Sequence, residues 1–169
     1  MSFSYVLRRR VMFIILGGLL TLLFVLALTL WLIVNRRLPD CESDSMIITH
    51  EAERLVVSRG VWKVQNRFLH ATGNYNGIIS YYGLDHKLLS REPVDVSFEL
   101  QYGFTGSVLR SETTSLSYNL GNRADDESIA RYTSAGLSLG HINYGWIYRL
   151  QNKNYVLGNN FNPTIICMK

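Results

Sequence analysis

The sequence predicts a mainly β domain behind one N-terminal transmembrane helix. Three observations support this fold class: an uncharged apolar run from Val11 to Val34, strict apolar–polar alternation in VDVSFELQY (residues 94–102), and, after the run, abundant tyrosine punctuated by glycine and asparagine. Such patterns are typical of antiparallel strands with frequent turns. We therefore expect roughly six to eight strands in a curled antiparallel sheet, a sandwich or an incomplete barrel, with one or two short helices.

The apolar run is long enough to cross a membrane. A helix rises 1.5 Å per residue, so about 20 apolar residues span the hydrocarbon core. A cleaved signal peptide would have a shorter apolar region and a cleavage site of small residues. This run instead ends in Trp31 to Val34, followed by Asn35-Arg36-Arg37. We therefore expect an uncleaved signal anchor, with Trp31 near the membrane interface.

Arginines flank the run on both sides and indicate its orientation. Arg8 to Arg10 precede it, while Arg36 and Arg37 follow it, which favours a cytoplasmic N-terminus. These arginines account for much of the net charge of +4, so the composition gives no reason to expect direct nucleic-acid binding. The predicted divisions are a cytoplasmic tail (1–10), a transmembrane helix (11–34), a juxtamembrane linker (35–45) and an extracytoplasmic β domain (46–169).

The chain has two cysteines, Cys41 and Cys167, and both follow the apolar run. An even pair in an oxidising compartment predicts a disulfide bond, whereas two buried thiols are the alternative. The bond would join the start of the domain to its last strand and would stabilise the fold by restricting the unfolded chain. A redox role would favour a closely spaced C-x-x-C pair, which is absent.

The strands follow from alternation and turn residues. VDVSFELQY predicts one strand with an apolar and a polar face, and residues 62–72 predict a weaker strand. Asn76-Gly77 lies between apolar runs and predicts a hairpin turn. Residues 107–121 predict a strand after the turn GFTG. Further on, residues 141–158 predict a second hairpin that turns near residues 152–154, and TIICM (164–168) predicts a short closing strand.

Two segments are less regular. Residues 46–57 combine helical spacing with β-branched pairs, so strand and helix both remain open. Residues 123–134 have Asp125 and Asp126 early and Arg131 late, an arrangement that favours a short helix. A polar loop is the alternative there.

The sequence contains no recognisable catalytic constellation. The four histidines are scattered, and HEAER (residues 50–54) places Arg54 where a zinc protease motif needs a second histidine. Nucleophile-elbow and P-loop patterns are absent. Asp125 to Glu127 lack the alternating oxygen ligands of a calcium loop. We therefore expect no enzymatic activity, no metal site and no cofactor.

The aromatic residues are expected mainly in the sheet core and in cross-strand pairs. A curled sheet can also direct aromatic side chains into a cavity that holds an apolar small molecule. The candidates for contact with an apolar ligand or a partner are Trp62, Phe68, Tyr81, Phe98, Tyr102 and Trp146.

The whole layout resembles the FidL-like membrane proteins of enteric bacteria. The residues that carry the resemblance are the basic head and anchor, Cys41, FLHATGNYNGIISYYG (68–83), VDVSFELQY and the closing IICMK. The resemblance implies a bacterial inner-membrane protein with a periplasmic domain. It also implies a plan similar to the ToxS-type companions of membrane-bound winged-helix transcriptional regulators.

Such companions bind the regulator's periplasmic domain and stabilise it. In related pairs they complete a lipocalin-like barrel that can receive bile-type amphiphiles. Our first expectation is therefore a non-enzymatic accessory protein that modulates a membrane-bound regulator and senses an amphiphile. The alternative is a self-contained sensor or carrier that binds an apolar ligand in its own cavity.

Overall fold

The computed structural model describes residues 3–35, 38–106, 108–150, 154–158 and 163–167. The chain forms two compact units, Met1–Arg37 and Leu38–Lys169. The first unit contains one helix, α1 (Phe3–Asn35), and the second is mainly β.

Helix α1 is apolar all round from Met12 to Leu32. Every side chain from Met12 to Leu32 is exposed, whereas a helix of a soluble domain has one polar face and one buried stripe. The hydroxyl groups of Thr21 and Thr29 donate to the carbonyls of Gly18 and Leu26, at 2.9 and 2.8 Å. The helix is long and apolar enough to cross a membrane, a property that anchors and signal sequences share.

The second unit is an eight-stranded antiparallel sheet, in which each strand pairs with the next along the chain. This order and the curl of the sheet give a nearly closed barrel, which confirms the predicted fold class. The strands are β1 (Cys41–His50), β2 (Arg54–Asn66), β3 (His70–Gly83), β4 (Leu88–Thr105), β5 (Val108–Tyr118), β6 (Ile142–Arg149), β7 (Tyr155–Gly158) and β8 (Pro163–Cys167).

The segment 46–57, which the sequence left open, forms the hairpin of β1 and β2. Ile48 pairs with Val57, and His50 pairs with Leu55. Pairing on a long sheet therefore outweighs the helical spacing, since tertiary context commonly overrides local propensity. Strand β1 already begins at Cys41, so residues 41–45 belong to the sheet and not to the predicted linker.

The predicted hairpin at Asn76-Gly77 was wrong. Strand β3 continues through both residues, and Gly77 lies opposite Gly60 on β2. A Cβ atom on Gly77 would lie 2.7 Å from the hydroxyl oxygen of Tyr75, and a Cβ atom on Gly60 would also collide with that ring. These glycines therefore make room for a buried aromatic ring, and neither residue is needed for a turn.

The weaker strand predicted at residues 62–72 is two strands. The chain turns between β2 and β3 at residues 67–69, where Leu69 adopts a positive φ of 60°. The amide of Arg67 donates to the carbonyl of His70 at 2.8 Å and closes this turn. No glycine or proline marks the position, which is why the sequence pattern missed it.

The remaining elements agree with the sequence. Val94, Val96, Phe98 and Tyr102 are buried on one face of β4. β6 and β7 form the second predicted hairpin, and β8 is the closing strand. Residues 151–153 and residue 168, which the predictions included, lie outside the described residues.

Residues 123–134 contain the short helix that the charge pattern favoured. Helix α2 (Asp126–Tyr132) is followed by a 3-10 turn at Ala135–Leu137. The side chain of Asp125 caps α2 by accepting a hydrogen bond from the amide of Ser128 at 2.7 Å.

Two buried clusters fill the two ends of the barrel. The helix-end cluster lies beneath α2 and contains Val56, Tyr75, Ile79, Tyr81, Val94, Val96, Phe98, Ala124, Ile129, Tyr132 and Leu137. The disulfide-end cluster contains Leu38, Cys41, Ala71, Tyr102, Leu109, Tyr155 and Cys167. Cys41 and Cys167 form the predicted disulfide, which joins the first strand to the last.

Candidate ligand-binding cavity

A cavity of about 610 Å³ lies inside the barrel, between the two clusters. Its lining comes from β1, β2 and β4 to β8 and from residues 133–136 that follow α2. Known small-molecule sites have volumes of roughly 300 to 1,000 Å³. The cavity is therefore large enough for a small molecule rather than for a few waters.

The cavity opens through a gap in the barrel wall, which we call the side window. Strand β7 pairs only with Trp146–Arg149 of β6, so within the described residues Ile142–Gly145 have no strand on that side. Strand β1 likewise pairs only with β2 in the part of the chain that the structure describes. The exposed residues Met46 and Ile47 line the cavity from β1, which places its mouth at this window.

One wall of the cavity is aromatic and aliphatic. The rings of Trp62 and Phe98 lie edge to face, with centroids 5.6 Å apart, and Trp62 also packs against Tyr75 at 4.9 Å. Leu100 and Leu157 extend this wall. Together they provide an apolar surface for a hydrocarbon body.

Tyr102 also faces the cavity, but its hydroxyl group is already used. This group donates to the side-chain oxygen of Asn66 at 2.9 Å. Burial raises the pKa of Tyr102, and it also raises the pKa of the neighbouring Tyr155 to about 12. Both phenols are therefore neutral at physiological pH, and Tyr102 presents a ring rather than a charge.

The opposite wall carries polar groups that the fold leaves available. Ser111 lies directly opposite Asn143 on the neighbouring strand, and both line the cavity. His141 joins them from the residue before β6. Within the described residues, these three side chains make no hydrogen bond. They can therefore serve a ligand, and we call them the polar wall.

Other hydroxyl groups in the lining already have partners in the fold. The hydroxyl of Thr113 donates to the carbonyl of Gly136 at 2.7 Å, and that of Ser45 donates to the carbonyl of Gly60 at 3.2 Å. The 3-10 turn is thus tied to the barrel wall. This contrast distinguishes the polar wall from hydroxyls that only stabilise the fold.

The lining is nearly free of charge. Among the described lining residues, Asp44 is the only acidic one, and none is a lysine or an arginine. A buried anionic group without a cationic partner is costly. The cavity is therefore suited to an uncharged head group.

Helix α2 is fixed over the barrel end by one carboxylate. Glu51 accepts hydrogen bonds from the hydroxyl of Tyr132 and from Nε of Arg54, each at 2.6 Å, and its carboxylate lies 2.9 Å from Arg131. The hydrogen bond from Tyr132, followed by that from Arg54, lowers the pKa of Glu51. Tyr132 also packs edge to face on Tyr81 at 5.8 Å. This Glu51 network ties α2 to the turn between β1 and β2.

The six aromatic candidates fall in different places. Trp62, Phe98 and Tyr102 line the cavity. Phe68 is exposed in the turn between β2 and β3, and Tyr81 lies in the helix-end cluster. Trp146 lies half-buried on β6 and is not part of the described lining.

Sequence reasoning did not single out the polar wall. Ser111, Asn143 and His141 are individually ordinary polar residues, and only the pairing of β5 with β6 brings them together. The alternation of Leu109, Ser111 and Thr113 is a signal that places Ser111 on the inner face of its strand.

No protein-family model, curated protein sequence or solved structure matches this chain. The FidL-like resemblance therefore remains a prediction that rests on the residues quoted for it. Fold and cavity together define a coarser class: a disulfide-bonded, nearly closed β-barrel with an internal cavity, preceded by an apolar helix.

Proposed function

We propose that this protein is a non-enzymatic, single-pass inner-membrane protein whose periplasmic barrel binds an uncharged amphiphile. The observation that carries the proposal is the cavity, which combines an apolar wall with a polar wall at an open side window. The apolar helix would serve as an uncleaved anchor with a cytoplasmic N-terminus, and the disulfide fits an oxidising periplasm.

The two walls indicate the chemistry of the ligand. A hydrocarbon body fits against Trp62 and Phe98, whereas hydroxyl or amide groups of the head can bond with Ser111 and Asn143. A carboxylate head would find Asp44 and neither lysine nor arginine among the described lining residues. We therefore expect preference for a neutral head over an acidic one of the same chain length.

Quenching of Trp62 fluorescence tests this proposal. The full chain in lipid nanodiscs, with Trp31→Phe and Trp146→Phe, leaves Trp62 as the reporter. A monoacylglycerol with a dibrominated acyl chain should quench Trp62 saturably, because the bromines would lie beside the ring. The brominated fatty acid of the same chain should bind at least about tenfold more weakly, a difference of about 1.4 kcal/mol.

The control variants separate cavity binding from partition into lipid. Ser111→Phe fills the polar wall and should abolish saturable quenching. Thr114→Phe places the same ring at an exposed position of the same strand and should leave the saturable quenching unchanged. Quenching that is absent in the reporter protein, or equal in both variants, would contradict the proposal.

A second candidate function is the accessory role that the family resemblance implies. The observation that favours it is the free edge of β1, where Met46, Ile47 and Ile48 are all exposed. An exposed apolar edge can add a strand from a partner, and such a strand would occupy the side window and complete the barrel. A membrane-bound winged-helix regulator held by its own anchor would meet this edge at high effective concentration.

Co-purification tests this second candidate. A membrane-bound winged-helix regulator co-expressed with this chain should be retained with the wild-type protein and lost with Ile47→Lys, because a lysine at a strand edge opposes pairing. Leu139→Lys, also exposed and apolar in the native chain but outside the cavity lining, is the matched control. Loss of the regulator with both variants alike, or with neither, would argue against strand addition at β1.

A further inference from the structure

One patch on the outer wall of the barrel carries apolar side chains where polar ones would be expected. An antiparallel sheet with one face on a core usually turns polar side chains outward. On β2, however, the buried inner residue Ser58 is polar, whereas Val57 and Val61 face outward. Ile78 on β3 and Met46 on β1 continue this apolar surface and are about half exposed, at 44% and 53%.

This surface is concave. It forms an open groove of about 1090 Å³ across β1 to β4, which we call the outer groove. Gly60 and Gly77 lie opposite each other in its floor, where the wall approaches the ring of Tyr75 too closely for a Cβ atom. The absence of side chains at this point lets the wall lie close to the ring of Tyr75.

The outer groove is lined by more arginines than carboxylates. Arg59 and Arg91 line it, both are exposed, and neither has an ion-pair partner among the described residues. The only acidic residue of the described lining is Asp44, at the edge on β1. Exposed apolar grooves with polar borders commonly mark interaction sites. In this one, two unpaired arginines stand against a single carboxylate, that of Asp44.

We propose that the outer groove binds a segment of a second protein that carries apolar side chains together with carboxylates. Apolar side chains would cover Val57 and Ile78, and the carboxylates would pair with Arg59 and Arg91. A concave groove fits a rod-shaped segment better than the flat surface of a membrane. This inference concerns a different surface from the ligand cavity. It shares with the second candidate function only the requirement for a protein partner.

The outer groove and the ligand cavity share one strand. Asp44, Ser45 and Met46 on β1 line both. A segment in the outer groove therefore contacts the same residues that border the side window. Binding at one site consequently changes the wall of the other, which provides a physical route for coupling ligand to partner.

Site-specific photo-crosslinking in native membranes tests the proposal. The full chain carries p-benzoylphenylalanine at Ile78 in the outer groove, or at the exposed Thr114 as a control position. The Ile78 position should form an adduct with one other protein, in which the crosslinked peptide contains Asp or Glu, and the Thr114 position should not. The double variant Arg59→Glu/Arg91→Glu should lower the adduct yield at least tenfold.

A matched charge reversal controls for net charge. Arg67 and Arg123 are exposed and lie outside the outer groove, so Arg67→Glu/Arg123→Glu should leave the yield unchanged. An adduct with a second copy of this chain, with a phospholipid, or with no dependence on Arg59 and Arg91 would overturn the proposal, as would no adduct. Retained quenching of Trp62 by the brominated monoacylglycerol shows that the arginine variants are folded. Retained co-purification of the regulator shows that the accessory role at the β1 edge holds even if the outer groove binds no partner.

Discussion

The two ends of the barrel are closed by different physical means. At the disulfide end, the bond between Cys41 and Cys167 joins the two edge strands directly. At the helix end, Glu51 holds α2 through hydrogen bonds and ion pairs. The covalent closure acts largely by restricting the unfolded chain, whereas the Glu51 network acts in the folded state and depends on ionisation.

The difference follows from the lengths of the strands. β7 has 4 residues and β8 has 5, so little backbone pairing is available near the last strand. β3 and β4 have 14 and 18 residues and support the helix-end cluster. A weakly paired edge gains most from a covalent bond, whereas a well-packed end can be covered by a short helix.

Removal of the disulfide should have the largest effect. The bond closes a loop with a sequence separation of 126 residues. Cys41→Ala/Cys167→Ala should lower the free energy of unfolding by about 4 to 5 kcal/mol, because the unfolded chain regains its freedom. Denaturant unfolding of the full chain in nanodiscs, followed by tryptophan fluorescence, measures this change.

Reductant provides the control for this prediction. It should destabilise the native protein to a similar extent and leave the double alanine variant unchanged. If the variant unfolds within about 1 kcal/mol of the native protein, the edge strands are held by packing alone and the contrast between the two ends disappears.

The Glu51 network should have a smaller, pH-dependent effect. Its hydrogen bonds lower the pKa of Glu51 from 4.5, so the carboxylate form is stabilised in the folded state. The resulting stability is present above about pH 4.5 and is lost as the pH falls through the lowered pKa. Glu51→Gln should therefore be less stable than the native protein at pH 7, and the difference should shrink as the pH falls below 4.5.

Unfolding of both proteins between pH 7 and pH 3 measures this difference. Glu53→Gln is the control, since Glu53 is exposed in the same turn and has no ion pair among the described residues. A constant gap between Glu51→Gln and the native protein across this range would show that Glu51 acts through packing and not through its charge.

Structural features that depend on neighbouring residues in the chain could be predicted from the sequence, whereas features that depend on long-range contacts could not. The alternation around Phe98 and the order of charges from Asp125 to Arg131 are local patterns. The first predicted β4, and the second favoured the short helix that forms, with a polar loop as the alternative. The predicted hairpin at Asn76-Gly77 was wrong because a glycine is favoured both in a turn and where the backbone lies close to another group. Only the ring of Tyr75 across the strand pair distinguishes the two.

The candidate site was predictable only in part. Trp62, Phe98 and Tyr102 were selected as bulky aromatic residues on predicted strands, and they do line the cavity. Tyr81 belongs to the same kind of pattern but lies under α2, since the sequence does not show where that helix packs. The polar wall depends on the register between β5 and β6, which no short pattern specifies.

The sequence by itself determined the apolar helix, the β class and the cysteine pair, because length, alternation and residue count are local or compositional properties. The tertiary structure alone decided that β7 pairs with only four residues of β6 in the described part of the chain, that a side window opens next to β1, and that Gly60 and Gly77 lie against the ring of Tyr75. Cavities and grooves are the space left between elements. They depend on how strands of unequal length pair and curl, and residues distant in the chain set their shape.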